Sequence, residues 1–495
     1  MAIGILGLII SKMLATYMSV GERGRYDLVY TLLSFAGIAA DMGLYTIAIR
    51  EISKQRDQLE HIIGNIMSLR NILSIGTVII AVLATMLIPG LQKGPEFTIA
   101  VAFSGVSMVL ALMNGTITSV LQAEYKMMQS TVAQVLGKIV IVIVMAITMF
   151  FLFKKSEFPD PNQVPFWAYQ WLFIAGIIGN FAMYLYTEYF VRKIVKVKFL
   201  YDFAYWKKLV KEALPYGFGL VLATLYFKID VLILNFMLPH TATLPDQTAD
   251  FQIGLYSGAV KVVEIFSILP LFFLNATLPV MSRLIAEGSE RIKTVLQYSL
   301  EFLYLMAAPI AVGGFVLAYH IVNITNDHKY LTRLQDGFIG SDFVLKIIIF
   351  TILFSFLNLL FNFLLVAQNR QKKLVIINSV CLLFNSITNI IFIPAWGIRA
   401  CAVTTVVTEI LVLILTIYYS RQMTTFQPHW GRLLRITFAA LCMGAVMEVI
   451  KNNLFVIFQN PAIIMVGGIG ILVYVGLLVL LRVVNRELIM MMKKG

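Results

Sequence analysis

Apolar residues occur along the chain in long runs that are separated by short polar stretches. Each run is near the 20 or so residues that a helix needs to cross the hydrocarbon layer of a membrane. No gap between runs is long enough for a folded soluble domain. The pattern therefore predicts an all-α polytopic membrane protein with about fourteen transmembrane helices, at roughly 2–20, 27–49, 71–90, 97–122, 131–153, 166–191, 214–238, 254–282, 294–325, 343–368, 374–395, 398–420, 433–456 and 461–481.

Between these runs the polar stretches are of two kinds. Residues 50–66 and 192–213 mix charged with apolar positions, which predicts amphipathic helices lying on the membrane surface. Residues 154–165 and 239–253 are rich in Pro, Asp and Thr, as turns are. We expect four parts: an N-terminal six-helix bundle, a cytoplasmic amphipathic linker, a C-terminal six-helix bundle and two appended helices, at 1–191, 192–213, 214–420 and 433–481.

Composition supports the membrane assignment. The chain has 495 residues, of which 59% are hydrophobic and 13% charged, and its mean hydropathy is +0.85; a soluble protein carries about twice that charge. The first apolar run starts at Met1 with no basic segment before it, so no cleavable signal peptide is expected. Cys381, Cys401 and Cys442 lie in apolar runs without metal-ligand or disulfide spacing, and we expect small core residues there.

The basic residues are distributed unevenly among the loops. The net charge is +13, and of the 39 Lys and Arg residues 25 fall in the even-numbered loops and the C-terminal tail, against nine in the odd-numbered loops. Cytoplasmic loops carry the excess of Lys and Arg, so both termini are expected in the cytoplasm. Topology and contact with anionic headgroups account for the charge, and no nucleic-acid partner is expected.

Charged residues inside the apolar runs are the candidate functional groups. The stretch "LYFKIDVLILNF" places Lys228 and Asp230 near the middle of a span, and Lys12 and Asp41 pose the same problem in the first two spans. Residues i and i+2 point about 200° apart on a helix, so Lys228 and Asp230 are not expected to pair. Charged groups in a span face a bundle interior or a watery cavity. Two interpretations stay open, a cavity lining and buried structural ion pairs.

Other charged positions also allow two interpretations. Lys261 and Glu264 have the i,i+3 spacing of a pair on one helix face. Arg50, Arg70 and Arg283 lie at span ends, where an Arg reaches the headgroup layer or binds a phosphate through its planar fork. A further set in spans away from the expected cavity favours structural roles: Lys138, Glu301, Lys346 and Glu409.

No catalytic motif occurs in the sequence. His-Glu-x-x-His, Gly-x-Ser-x-Gly and the phosphate-binding loop Gly-x-x-x-x-Gly-Lys-Ser/Thr are all missing. We therefore expect no enzymatic activity, no cofactor and no metal, and transport driven by a gradient or by consumption of the product.

The chain contains a weak internal repeat. "GRYDLVYTLLSFAGIAADMGLYTIAIREISK" (24–54) and "GLYSGAVKVVEIFSILPLFFLNATLPVMSRLIAE" (254–287) both begin Gly-x-Tyr, run through an apolar span and lead to a basic residue, Arg50 or Arg283. Repeated halves are common in secondary transporters, whose substrate site lies where the halves meet.

These same stretches resemble the polysaccharide exporter family. "YFKIDVLILNFML" followed by "IGLYSGAVKVVEIFSILPLFFLNATLPVMSRL" is similar to its seventh-to-eighth span signature, with an Asp, a Gly-x-Tyr-x-x-Ala, a Pro and a Ser-Arg. The 24–54 stretch is similar to its N-terminal signature. This family comprises Wzx-type flippases of O-antigen and other lipid-linked oligosaccharides, within the multidrug/oligosaccharidyl-lipid/polysaccharide superfamily. The resemblance implies a multi-pass protein of a bacterial or archaeal inner membrane.

The resemblance also implies a V-shaped pair of six-helix bundles around a cationic cavity, lined mainly by spans 1, 2, 7 and 8. This cavity would receive the diphosphate headgroup of an undecaprenyl-type lipid. Expected substrate contacts are Lys12, Lys228, Arg50, Arg70, Lys261 and Arg283, and expected coupling-ion or charge-balancing groups are Asp41, Asp230 and Glu264. Expected partners are membrane lipids, the lipid-linked oligosaccharide, a polysaccharide polymerase and glycosyltransferases.

Three alternative functions remain at this point. A multidrug or cation antiporter of the same superfamily would favour an acidic cavity and usually twelve spans. A lipid II flippase would carry an Arg-rich first span, which is missing here. A membrane-embedded oligosaccharide polymerase or acyltransferase belongs to a different class, and polymerases of this kind usually have a large external loop with functional arginines.

Overall fold

The computed structural model describes residues 2–54, 56–160, 163–333, 335, 337–421, 428–458 and 460–483, and these residues are almost entirely helical. In the described residues, the extended structure is one isolated bridge between Arg333 and Phe338. The helices are α1 (Ala2–Tyr17), α2 (Val20–Asp41), α3 (Leu44–Lys54), α4 (Leu59–Leu87), α5 (Pro95–Ala123), α6 (Met127–Ile147), α7 (Phe166–Val191), α8 (Phe203–Met237), α9 (Ala249–Phe266), α10 (Leu269–Ala286), α11 (Arg291–Thr325), α12 (Ser341–Ile348), α13 (Thr351–Ala367), α14 (Gln371–Trp396), α15 (Ile398–Arg421), α16 (Trp430–Phe458) and α17 (Ala462–Leu480).

The predicted all-α membrane architecture is confirmed. Every one of the fourteen predicted spans coincides with helix. Within the described part of the chain, eleven helical segments are long and apolar enough to cross a membrane, and twelve if the bent pair α12–α13 is one span. The helix α1 is apolar but shorter, and α8 is the 35-residue helix that holds Lys228 and Asp230.

Three predicted spans are each built from two helices. The second span breaks after Asp41, where Met42 and Gly43 take the left-handed conformation with φ of 41° and 78°. The eighth breaks before α10, because Pro270 has no N–H to continue the hydrogen-bond ladder. The tenth bends by 41° between α12 and α13. Apolar periodicity alone does not show such breaks, since both halves remain hydrophobic.

The second span also begins earlier than predicted. Ser19 caps α2 in a capping box, in which its hydroxyl accepts from the Glu22 N–H at 3.3 Å and the Glu22 carboxylate accepts from the Ser19 N–H at 2.8 Å. Only Met18 and Ser19 separate α1 from α2. Residues 192–202 are not helical, so the surface helix expected over 192–213 begins only at Phe203 and continues directly into the span.

The chain forms two compact units, Met1–Gly254 and Leu255–Gly495. In the first unit, a buried apolar cluster joins α3, α4, the end of α5 and the start of α8, with Ile52, Ile63, Leu121 and Leu209 among its members. In the second unit, a buried cluster packs α16 and α17 against α11. The domain boundaries expected from the sequence remain a prediction.

Candidate functional site

Asp41 and Arg70 form a buried ion pair in the first unit. Asp41 is the last residue of α2, and its carboxylate accepts from the guanidinium of Arg70, which comes from α4 and is 3% exposed. A carboxylate at a helix C-terminus lies at the negative end of the helix dipole, so it is stable there only beside a cation. Arg70 also donates from Nη1 to the Thr116 hydroxyl at 2.6 Å, whereas its buried Nε has no hydrogen-bond partner among the described residues.

Arg50 lies near the end of α3 and is tied to two carboxylates. Its guanidinium contacts Glu212 of α8, and its Nη2 lies 3.0 Å from the neighbouring Glu51. The Arg50 side chain is 46% exposed. At this exposure an ion pair contributes little to stability, about 0–1 kcal/mol.

Lys12, Lys228 and Asp230 lie inside helices as expected, Lys12 in α1 and the other two in α8. The two lysines are half-buried and Asp230 is buried. Sixteen residues separate Lys228 from Glu212, the partner of Arg50, which is about 24 Å along a straight helix. Within the first unit the six expected site residues are therefore spread along the helices, and Asp41 and Arg70 form an ion pair.

The expected residues of the second unit lie near helix ends and pair locally. Lys261 and Glu264 of α9 form the predicted i,i+3 pair, with Nζ and Oε2 3.0 Å apart and both side chains 41% exposed. Arg283, near the end of α10, lies 3.8 Å from Glu287 and is largely exposed. These three side chains are all exposed, Lys261 and Glu264 at 41% and Arg283 at 71%.

One charged cluster of the first unit was missed from the sequence. Asp250, at the start of α9, accepts from Arg25 of α2 at 2.8 Å and contacts the buried Lys93, which also lies 3.3 Å from the His240 ring. Burial lowers the pKa of Lys93 although Asp250 opposes the shift, and burial together with Lys93 lowers the pKa of His240. In the sequence, Arg25 and Lys93 count only among the basic residues that indicate topology.

Two glycines bring the helices of this cluster together. A Cβ on Gly24 would lie 1.8 Å from the Asp250 carbonyl oxygen, and one on Gly254 would lie 2.1 Å from the carbonyl oxygen of Val20. Because no side chain fits at either position, the glycines allow α2 and the start of α9, residues 249–254, to meet at backbone contact. Gly24 and Gly254 are the first residues of the two repeated Gly-x-Tyr stretches. The repeat is therefore the sequence signal that could have indicated this contact.

Glu301 is the centre of a second cluster, in the second unit. Its buried carboxylate lies 2.7 Å from His429 Nδ1 and accepts from Arg432 Nη1 at 2.9 Å. His429 directly precedes α16 and Arg432 lies in its first turn, so this cluster fixes one end of α16 against α11. The structural interpretation of Glu301 agrees with this arrangement.

These groups offer cations rather than metal ligands. In the described residues, no three His, Cys, Asp or Glu side chains are grouped as a metal site. Arg50 is held by Glu212 of α8, and Arg70 is held by Asp41 of α2. An anionic headgroup can replace such a carboxylate, because a guanidinium binds carboxylate and phosphate through the same fork of donors.

Comparison with known proteins places this arrangement in a family. The profile of the polysaccharide biosynthesis protein family matches residues 1–285, and the MatE profile matches residues 215–391. No curated protein sequence matches the chain.

Solved structures share the fold. The lipid II flippase MurJ, in an inward closed conformation, has a TM-score of 0.71 at 17% identity, with 97% of each chain covered. An inward-facing multidrug resistance MATE family transporter of the MOP superfamily has a TM-score of 0.67 at 14% identity, covering 88% of this chain and 96% of its own. A MOP superfamily transporter from Pyrococcus furiosus, titled for the reverse polarity of its binding pocket, has a TM-score of 0.61 at 15% identity over 88% and 94%.

These structures are of flippases and transporters and not of enzymes, in agreement with the lack of catalytic motifs in the sequence. The profile match covers more than half of the chain. The chain is thus a multi-pass membrane protein that belongs to the polysaccharide biosynthesis protein family and has the fold of MOP superfamily transporters.

Proposed function

We propose that the protein is a flippase that moves an oligosaccharide linked to undecaprenyl diphosphate, of the O-antigen or capsule type, from the cytoplasmic to the outer leaflet of the inner membrane. Lys12, Lys228, Arg50, Arg70, Lys261 and Arg283 would bind its diphosphate, and Asp41, Asp230 and Glu264 would balance their charge or bind a coupling ion. Both termini would lie in the cytoplasm, as the loop charges predict. A polymerase and glycosyltransferases would act on either side of this step.

The observation that carries this proposal is the whole-chain match to a lipid flippase. MurJ covers 97% of this chain, whereas the MATE structures cover 88%. The difference favours a lipid flippase over a drug antiporter, because it is comparable in length to α16 and α17 together. The family description supports a polysaccharide precursor as the cargo.

The excess of membrane cations supports an anionic cargo. Lys12 and Lys228 lie within helices, and Arg70 is buried in one. A charge inside the membrane region is costly and is kept where it meets a substrate or a partner. A diphosphate that replaces Asp41 on Arg70 would bind to the same fork of guanidinium donors.

A transport assay tests the proposal. The purified protein is placed in vesicles with a fluorescent oligosaccharide on a polyprenyl diphosphate, and movement between leaflets is followed by quenching from outside. Flipping that requires both the protein and the diphosphate supports the proposal. Flipping of lipid II alone, or proton-driven efflux of a cationic dye with no lipid flipping, would assign the chain to the lipid II flippase or antiporter alternative.

A further inference from the structure

We propose that residues 192–211, here called the basic segment, form a preformed binding surface for anionic phospholipid headgroups. The segment follows α7 and includes the first turns of α8, so it lies directly between two membrane helices. It contains Arg192, Lys193, Lys196, Lys198, Lys207, Lys208 and Lys211 against a single acidic residue, Asp202. The proposal concerns binding of the surrounding lipid and does not depend on the identity of the cargo.

Five of these cations make no hydrogen bond or ion pair within the described residues. Lys196, Lys198, Lys207, Lys208 and Lys211 are exposed, and in the described part of the chain no hydrogen bond or ion pair holds their ammonium groups. The neighbouring carboxylates are already occupied: Glu188 binds Arg192, Asp202 caps α8 and faces His61, and Glu212 binds Arg50. The surface therefore keeps its positive charge for an external anion.

The backbone that carries these lysines is fixed in place. The Leu200 N–H donates to the Gly64 carbonyl at 3.3 Å, and the Asp202 N–H donates to Asn65 Oδ1 at 2.8 Å. A Cβ on Gly64 would lie 2.5 Å from the Lys198 carbonyl oxygen, so only glycine allows this close approach. A non-helical stretch bound in this way to α4 presents its lysines at set positions, which lowers the entropy lost when they bind.

Apolar side chains divide the segment into a buried side and a side open to lipid. Val195, Trp206 and Leu209 are buried in the core of the first unit. Phe199, Tyr201 and Phe203 are exposed at 49%, 62% and 74%. Aromatic rings collect at the headgroup level of membranes, and lysines there attract anionic lipids. Exposed aromatics interleaved with free lysines therefore fit a lipid surface better than a soluble acidic partner.

Photo-crosslinking of the full-length protein in nanodiscs tests this. The probes are phosphatidylglycerol and phosphatidylcholine, each with a photoactivatable group near the headgroup. Chymotryptic peptides are compared, because this digestion is not altered by Lys→Gln changes. We expect phosphatidylglycerol to label the basic segment about fivefold more than phosphatidylcholine. In K196Q/K198Q/K207Q/K208Q the ratio should fall to near one.

A matched variant controls for net charge. K126Q/K154Q/R291Q/K372Q removes four exposed cations outside the segment and should keep the wild-type ratio. High salt should lower the wild-type ratio, since exposed charges are screened. A wild-type ratio near one, an unchanged ratio in the segment variant or in high salt, or an equal loss in the control variant would each overturn the proposal. None of these readouts requires transport, so they are independent of the proposed function.

Discussion

Arg70 shows how a single charge is tolerated in the membrane region. It is buried in α4, and its charge is neutralised by Asp41 at the end of α2. Removing one partner of a buried pair leaves the other charge uncompensated, which costs far more than the net contribution of the pair. The pair therefore links the end of α2 to α4 whether or not it also meets a substrate.

This leads to a stability prediction. Arg70→Gln should destabilise the protein strongly, by about 3–5 kcal/mol on the scale known for buried pairs. Asp41→Asn should also destabilise it, and the double variant should be less destabilised than Arg70→Gln alone. Unfolding midpoints in detergent measure all three. Additive losses in the double variant would mean that the two side chains do not depend on each other.

The mid-helix lysines give a prediction about transport. Lys228→Ala and Lys12→Ala should lower flipping at unchanged protein level. Each substitution removes a cation of a membrane helix that is proposed to bind the diphosphate. Lys228→Arg should retain part of the activity. Lys346→Ala, a lysine of α12 outside the proposed contacts, is the matched control. Normal flipping by Lys228→Ala would remove this residue from the substrate site.

At the scale of helices, the contact between α2 and the start of α9, residues 249–254, depends on two glycines. The Gly24 and Gly254 backbones touch the opposite helix, and beside them Asp250 binds Arg25 and Lys93. A helix glycine is normally a weak point, since Ala is more stable there by about 1 kcal/mol. At a close contact between helices the preference for Ala over Gly is reversed, because the methyl group of Ala would push the two backbones apart.

Two glycines of the same helix allow a direct test. Gly24→Ala should destabilise the protein, since its Cβ would lie 1.8 Å from the Asp250 oxygen. Gly21→Ala should be neutral or stabilising by up to about 1 kcal/mol, because its Cβ would meet nothing closer than 4.0 Å. Thermal unfolding of the two variants side by side measures the contrast. Equal midpoints would show that Gly24 does not lie at backbone contact with residues 249–254.

At the scale of the whole molecule, the charge of the proposed cargo determines how the membrane potential acts on transport. A lipid diphosphate carries about two negative charges, and an interior-negative potential favours moving each outward by about 2.3 kcal/mol per 100 mV. Lysines that move with the headgroup cancel part of this charge. The empty site must then return its positive charge inward, which the same potential favours. A full cycle therefore transfers the charge of the cargo once.

We accordingly predict that flipping is accelerated by a membrane potential alone. In vesicles, a potassium–valinomycin potential that is negative on the side the substrate leaves should speed flipping, and the reversed potential should slow it. The unpolarised vesicle is the control. A rate that ignores the potential and requires a proton or sodium gradient would contradict electrophoretic transport and direct attention to Asp41 or Asp230 as a coupling-ion site.

The sequence by itself determined the membrane class, the all-helical fold and the approximate position of each span. It could do so because a membrane requires long apolar runs in which each helix satisfies its own backbone hydrogen bonds. It also indicated the local Lys261–Glu264 pair, because helix geometry alone places i and i+3 side by side. These are properties of single segments.

Only the tertiary structure decided which charges meet. Asp41 pairs with Arg70, Arg50 with Glu212, and Asp250 with Arg25 and Lys93. These partners are 29 to 225 residues apart, and periodicity carries no information about such distances. The break at Met42 and Gly43 likewise has no signal in hydropathy, because both halves of the span are apolar. Long-range pairing follows from how helices pack, and packing depends on the shape of whole faces rather than on any one run.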